Sequence, residues 1–227
     1  MLLSATDGVG IIAEKALEIY GYRFVAHSSN KKRNTLMTAL TLNLNSVIKL
    51  TREQFYQLCE ENPDLKLERN AQGDLIIMPP TGGETGKTNS TINAQIWLWN
   101  DQNQLGEVFD SSTGFTLPSG ADRSPDVSWV EKSRWDALTK EQKEKFIPLC
   151  PDFVIDILSP NDSLKKTQNK MQEYIENGCR LGWLINRKKQ EVEIYRPGQD
   201  VEVLKFPQTI SGENVLPDFV LNIQRIW

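Results

Sequence analysis

The sequence is poor in the residues that build zinc sites and disulfide frameworks. Its 227 residues include one histidine, His27, and three cysteines, Cys59, Cys150 and Cys179. The cysteines are far apart and form no CxxC pair, whereas a structural zinc site needs four clustered Cys or His ligands. The composition therefore argues against a zinc site and favours reduced cysteines, as in a cytoplasmic protein.

The chain also lacks long apolar runs and a positive net charge. No stretch approaches the roughly 20 apolar residues of a membrane-spanning helix, so a membrane protein is not expected. The formal net charge is −4. An acidic chain has no global field that attracts nucleic acid, so DNA binding would need a local basic face.

Residues 1–36 differ in character from the rest of the chain. Residues 11–22 could form a short amphipathic helix, residues 27–34 are polar and basic, and no secretory signal is present. We predict one domain over residues 37–227. The N-terminal extension, residues 1–36, is expected to be loose or to reflect the assigned start of translation.

From Met37 onward, helix and strand patterns alternate, which predicts a mixed α/β fold with helices on an open sheet. Thr51 and Gln54 form a capping box that predicts a helix over residues 52–61. Residues 70–74 read as a hairpin turn between two strands. Two further helices are predicted over residues 84–100 and 135–145. Another begins after a cap at Asn161 or Asp162 and ends at Asn177. Three strands follow at residues 181–186, 191–195 and 201–206.

One carboxylate, Asp156, stands inside the apolar run of residues 151–160. That run is rich in β-branched residues and ends in Ser-Pro, which predicts a buried strand. A buried carboxylate is costly unless it is neutralised, holds a metal ion or faces a cleft. Asp126 follows Pro125 at the start of a preceding predicted strand, where it either caps a turn or approaches Asp156.

Two carboxylates a few ångströms apart repel each other unless a cation lies between them. Oxygen ligands without imidazole favour Mg²⁺ or Mn²⁺. Glu84, at the start of a predicted helix, either adds a third ligand or compensates the helix dipole. Lys170 lies at the core-facing edge of the helix after the Asp156 strand, from which its ammonium could reach the carboxylates.

Two groups of basic residues are candidates for phosphate contacts. Both also read as ordinary solvated surface. They are Lys165 and Lys166 on the helix that carries Lys170, and Arg187, Lys188 and Lys189 in a predicted hairpin turn.

The chain after Met37 resembles the PD-(D/E)XK nuclease superfamily, and more narrowly the bacterial Uma-two-type restriction endonucleases. The matching segments are residues 67–69, 73–80, 124–127, 151–160, 170–174 and 183–185, together with Gly178. The resemblance implies a restriction-endonuclease-like core, in which helices flank a central mixed β-sheet. It also implies an Mg²⁺- or Mn²⁺-dependent endonuclease that hydrolyses phosphodiester bonds of DNA, and, by analogy, a homodimer.

The resemblance assigns roles to individual residues. Asp126 would be the PD aspartate and Asp156 the D/E residue, and Glu84 would be the carboxylate from the early helix. These three side chains and the backbone carbonyl of Ile157 would hold the metal ion. Leu158 stands where the superfamily has its lysine, so either Lys170 supplies that cation from the helix or the enzyme is impaired.

Two other interpretations compete with an active nuclease. A catalytically impaired module of the same fold would bind DNA or a protein partner. Residues 81–88, TGGETGKT, also resemble a P-loop between a strand and a helix. They open with Thr81 where the P-loop motif has glycine, and the preceding strand reads as part of a local hairpin.

Overall fold

The computed structural model describes residues 39–44 and 48–227. The predicted extension over residues 1–36, its amphipathic helix, His27 and the boundary at Met37 lie outside the described residues. None of the helices in the described ranges is long and apolar enough to cross a membrane.

The described residues form thirteen strands and five α-helices, followed by a short 3₁₀ helix at Ile223–Ile226. The strands are β1 (Leu40–Leu42), β2 (Lys66–Arg69), β3 (Leu75–Met78), β4 (Gly106–Asp110), β5 (Phe115–Thr116), β6 (Asp122–Arg123), β7 (Val127–Glu131), β8 (Phe153–Ile157), β9 (Leu181–Asn186), β10 (Glu191–Tyr195), β11 (Glu202–Lys205), β12 (Thr209–Ser211) and β13 (Val220–Asn222). The helices are α1 (Arg52–Glu61), α2 (Gly83–Asn103), α3 (Lys132–Asp136), α4 (Lys140–Glu144) and α5 (Leu164–Glu176).

A six-stranded mixed sheet is the centre of the fold. Its strand order is β11-β10-β9-β8-β7-β4. Strands β8 and β9 run parallel, joined by α5, and the other neighbours are antiparallel. A second, antiparallel sheet has the order β1-β3-β2-β6-β5, and β12 pairs with β13. The predicted hairpin of β2 and β3 and the meander from β9 to β11 are confirmed.

Both faces of the central sheet are covered by helices, as predicted. On one face, the stripe of Ile92, Ile96 and Trp99 on α2 packs with Phe153 and Trp183 of the sheet. On the other face, Met171 and Tyr174 of α5 pack with Val154 and Leu184. Because side chains alternate along a strand, Asp156 lies on the face of β8 that α5 covers.

The ends of the helices show where capping residues, rather than the apolar and polar sequence pattern, determine the bounds of a helix. The capping box of Thr51 and Gln54 is present, as predicted. The predicted single helix over residues 135–145 is wrong: Thr139 forms a capping box with Gln142, and this cap starts a separate helix, α4. The predicted cap of α5 at Asn161 or Asp162 is also wrong, because Ser163 caps the helix.

Residues 81–88 lack the geometry of a P-loop. Gly82 caps α2, so Gly86 and Lys87 already lie within the helix, and no loop remains to wrap a phosphate. The preceding strand, β3, pairs antiparallel with β1 and β2, whereas a P-loop follows a strand of a parallel βαβ unit.

Gly106 is the tightest glycine position next to the core. A Cβ built there would overlap with the Val130 carbonyl oxygen and lie 2.5 Å from the Trp129 ring. Gly106→Ala is therefore expected to lower the free energy of unfolding by about 2 kcal/mol, measured by urea denaturation. Gly86→Ala is the matched control: it has open space in α2 and is expected to stabilise by up to about 1 kcal/mol. Equal effects at the two positions would contradict this account.

Candidate active site

Asp126 and Asp156 lie side by side where β7 and β8 pair. The register places Val127 opposite Ile155, so Asp126, just before β7, comes next to Asp156. The Asp126 backbone N–H donates to Asp156 Oδ1 at 3.3 Å, and the Ile157 N–H donates to Asp126 Oδ2 at 2.8 Å. Two carboxylates 30 positions apart in sequence are thus fixed together by backbone contacts.

The surroundings of this pair disfavour two unscreened negative charges. Burial and the neighbouring Asp156 raise the pKa of Asp126. Asn89 of α2 donates to Asp126 Oδ1 at 3.1 Å. Asp156 Oδ2 is buried and accepts no hydrogen bond from the described part of the chain. An acceptor in this state can bind an added cation.

Lys170 reaches this pair from α5. Its Nζ lies 3.1 Å from Asp156 Oδ2, without hydrogen-bond geometry, and 3.4 Å from Oδ1, to which it donates. Burial opposes the charge of this ammonium, but the carboxylates of Asp156 and Glu68 outweigh burial and raise the pKa of Lys170. The lysine is therefore a buried, charged cation next to Asp156.

Glu68 is a site residue that the sequence reasoning did not assign. It lies in β2, is 1% exposed and accepts a hydrogen bond from Lys170 Nζ at 3.0 Å. Arg123 Nη1 donates to it at 3.1 Å, and the Ser124 N–H donates at 3.1 Å. Burial would raise the pKa of Glu68, but Lys170 and Arg123 outweigh that effect and hold its pKa at about 2.

Arg123 extends this buried ion network back to α5. Its Nε donates to Glu173 at 2.6 Å, one helical turn after Lys170. The alternating chain of charges, Glu173, Arg123, Glu68, Lys170 and Asp156, connects α5 and the second sheet to the central sheet. Such a network fixes the ammonium of Lys170 in one position.

The same residues line a cavity of about 780 Å³. Asp126, Asp156, Lys170, Glu68 and Arg123 contribute to its wall. Lys166, one turn before Lys170 on α5, also lines it. The carboxylate pair is therefore open to a small ligand or to one segment of a polymer.

Glu84 lies apart from this group. Its exposed carboxylate lies 3.4 Å from Arg187 and 4.0 Å from Lys87, and it is not among the residues that line the cavity. Its role as a metal ligand stays a prediction. The same holds for the Ile157 carbonyl, although the Ile157 amide contacts Asp126.

The predicted phosphate-contact residues are divided between two places. Lys165 is exposed on α5, next to the cavity-lining Lys166. Arg187, Lys188 and Lys189 lie in the turn between β9 and β10. Arg187 is paired with Glu84, and Lys189 is 3.9 Å from Glu191. Their contacts with nucleic acid stay predictions.

The donor set suits a hard divalent cation. Asp126 and Asp156 offer oxygen ligands only, and Asp156 Oδ2 has spare acceptor capacity. Within residues 39–44 and 48–227, no group of three or more His, Cys, Asp or Glu side chains is arranged to hold a metal. Two carboxylates are the protein ligand set of a typical Mg²⁺ site, in which water and substrate complete the coordination.

Comparisons with known proteins identify the family and a related fold. The model of the Uma2 family, described as "Putative restriction endonuclease", matches residues 52–224. The chain is similar to the crystal structure of a "putative nuclease belonging to DUF820" from Anabaena variabilis, with 25% identity and a TM-score of 0.66. The alignment covers 78% of this chain and 97% of that one. No curated protein gives a significant match.

Proposed function

The chain belongs to the Uma2 family of restriction-endonuclease-like proteins, and we propose that it is a divalent-metal-dependent endonuclease of the PD-(D/E)XK type that hydrolyses DNA. The observation that carries the proposal is the contact between Asp126 and Asp156, with the ammonium of Lys170 3.1 Å from Asp156. This arrangement combines an oxygen ligand pair with a fixed cation, two elements that serve metal-dependent phosphodiester hydrolysis.

Asp126 and Asp156 are the proposed ligands of Mg²⁺ or Mn²⁺, with the Ile157 carbonyl and Glu84 as further predicted ligands. When bound, such an ion lowers the pKa of water and neutralises charge on the phosphate. The Ile157 N–H and Asn89 hold the Asp126 carboxylate in one orientation. The Asp126 carboxylate is therefore preorganised by neutral hydrogen-bond donors.

Lys170 takes the role of the missing motif lysine. Leu158 occupies the usual position of that lysine, but the Lys170 ammonium reaches Asp156 from α5. Glu68 holds Lys170 by a 3.0 Å contact, so Glu68 is a positioning residue. In the proposed reaction, Lys170 stabilises the negative charge that builds on the phosphate oxygens as water attacks.

The free cysteines have no role in this chemistry. Burial raises the pKa of Cys150, and of the half-buried Cys59, to about 12, so both remain protonated thiols. Protonated thiols are poor nucleophiles and poor metal ligands.

We further propose that the protein acts in the cytoplasm, where such thiols stay reduced.

Cleavage of supercoiled plasmid tests the proposed function. Nicked or linear product is expected with Mg²⁺ or Mn²⁺ and none with excess EDTA, and a matched single-stranded RNA should be cut more slowly. A chain that binds plasmid but yields no product with either ion would instead be the catalytically impaired module that binds DNA. Faster cleavage of RNA would reject DNA as the substrate.

Lys166 is expected to contact a backbone phosphate, because it lines the cavity next to Lys170. Lys166→Ala should weaken DNA binding at low salt and reduce the slope of log K against log salt by about 1. Lys132→Ala is the control: this exposed lysine is paired with Asp136 and is not among the cavity-lining residues, so its slope should equal that of the wild type. Fluorescence anisotropy in Ca²⁺ measures the salt dependence of DNA binding for both variants. An unchanged slope for Lys166→Ala would remove it from the DNA interface.

A further inference from the structure

The outer face of α2 exposes large apolar side chains side by side. Trp97 is 56% exposed and the adjacent Leu98 is 53% exposed, with exposed Ala94 one turn before them. The opposite face of the helix carries the buried stripe of Ile92, Ile96 and Trp99. Adjoining exposed apolar side chains with polar residues around them are typical of interaction surfaces.

Opposite charges flank this apolar patch. Lys87 and Asp101 lie seven residues before and after Ala94, which places both on the outer face, because seven residues make almost two helical turns. Lys87 is exposed and its ion-pair contact is a distant one, 4.0 Å from Glu84. Asp101 forms no ion pair within the described ranges of the chain.

We propose that this face binds a second copy of the chain, with the two α2 helices antiparallel about a two-fold axis at Ala94. In this register Lys87 faces Asp101 of the copy, and Asp101 faces Lys87. Ser90 faces Leu98, and Thr91 faces Trp97, so each large apolar side chain meets a small one. A two-fold axis requires such self-complementarity, and a parallel pairing would place like charges opposite each other.

The surface is separate from the proposed active site. Asn89, which contacts Asp126, lies on the sheet-facing side of α2, so pairing at Ala94 leaves the cavity open. One helix face buries less area than a standard stable interface, so the dimer is expected to dissociate in the micromolar range. This inference is independent of the nuclease proposal.

Sedimentation velocity across the micromolar range is the first test. The wild type is expected to shift from monomer to dimer with rising concentration, and Trp97→Glu is expected to remain a monomer. Phe206→Glu is the matched control, because Phe206 is 68% exposed but lies outside α2; it should dimerise like the wild type. A wild type that is monomeric throughout, or a Trp97→Glu chain that dimerises normally, would overturn the proposal.

Charge reversal tests the register. Lys87→Asp alone should raise the dissociation constant roughly tenfold, because both symmetric ion pairs become repulsive. Asp101→Lys alone should do the same, and the double variant should restore the wild-type value. If the double variant dimerises no more tightly than either single variant, these residues do not face each other.

Cysteine cross-linking tests the position of the axis. Ala94→Cys should form a disulfide with its own copy under mild oxidation. Ser90→Cys should not, because the two copies of residue 90 would lie about 12 Å apart along the helix axes, beyond disulfide reach. Efficient cross-linking of Ser90→Cys rather than Ala94→Cys would overturn the proposed register.

Discussion

Asp126→Asn is expected to abolish metal-dependent cleavage without destabilising the fold. The amide cannot replace an anionic metal ligand, so the rate should fall by roughly 10²–10³-fold or more. The change also removes a buried charge next to Asp156, whose proximity together with burial raises the pKa of Asp126. The amide oxygen can still accept from the Ile157 N–H. Asn89 Nδ2 now donates to the other oxygen, so the Asn89 amide must turn over and accept from the new N–H through Oδ1, which has no hydrogen-bond partner within the described residues. The free energy of unfolding should therefore stay unchanged or rise by about 1 kcal/mol.

Asp152→Asn is the matched control for this prediction. Asp152 is 2% exposed, more deeply buried than the half-buried Asp126, but it is paired with Arg134 at 2.8 Å away from the cavity. Its replacement should lower stability, while cleavage per folded molecule stays at the wild-type level. Plasmid cleavage and urea denaturation are measured on both variants. Asp126→Asn should lose cleavage and keep its stability, whereas Asp152→Asn should keep cleavage and lose stability. An active Asp126→Asn protein would reject Asp126 as a ligand, and a strongly destabilised one would assign it a structural role.

Lys170→Met is expected to cause the largest loss of stability among the site variants. Lys170 is the cation in contact with both Asp156 and Glu68, and its removal leaves Asp156 buried beside Asp126 without a counter-charge. Breaking one partner of a buried ion pair typically costs about 3–5 kcal/mol. Saturating Mg²⁺ should restore part of this loss, because the ion binds the folded carboxylate pair and not the unfolded chain.

Two further variants separate the charge of Lys170 from its chemistry. Lys170→Arg keeps the charge, so it should be closer to the wild type in stability yet slower in cleavage, because the planar guanidinium cannot occupy the same position. Glu68→Gln combined with Lys170→Met should cost less than the sum of the two single changes, since the residues are in contact. Chemical denaturation with and without Mg²⁺ measures all of these values. Full wild-type stability of Lys170→Met would show that Asp156 does not need this cation.

The contact of Asp126 with Asp156 was one of the two alternatives that the sequence left open for Asp126, and it could be anticipated because it rests on local rules. A β-branched run marked β8 as buried, Pro125 marked the start of the neighbouring strand, and period-two alternation set the faces of the carboxylates. Lys170 was predicted in the same way, from the buried stripe of α5. These inferences need only neighbouring strands and a helix packed on them.

Glu68 could not be assigned from the sequence because its partners are remote. Its contacts with Arg123 and Lys170 span 55 and 102 positions, and they depend on how the second sheet lies against α5. In β2 the residue resembles an ordinary strand glutamate beside Arg69. The available signal was its place in the segment 67–69, which belongs to the family resemblance.

Glu84 illustrates the opposite case. Its position in the first turn of α2 was predicted well, but helix periodicity does not determine whether that turn reaches the carboxylate pair. In the fold, Arg187 from the turn between β9 and β10 contacts the Glu84 carboxylate, and the role of Glu84 as a metal ligand stays a prediction. The single helix predicted over residues 135–145 failed for a local reason, the second capping box at Thr139 and Gln142.

Direct titration of Mn²⁺ tests the central claim, that Asp126 and Asp156 together hold a divalent cation. Calorimetry on the wild type should show one ion bound per chain, and Asp126→Asn and Asp156→Asn should each abolish binding while both proteins remain folded. Asp152→Asn should bind like the wild type. Equal Mn²⁺ binding by the wild type and by both site variants, or no binding by the folded wild type, would contradict the account.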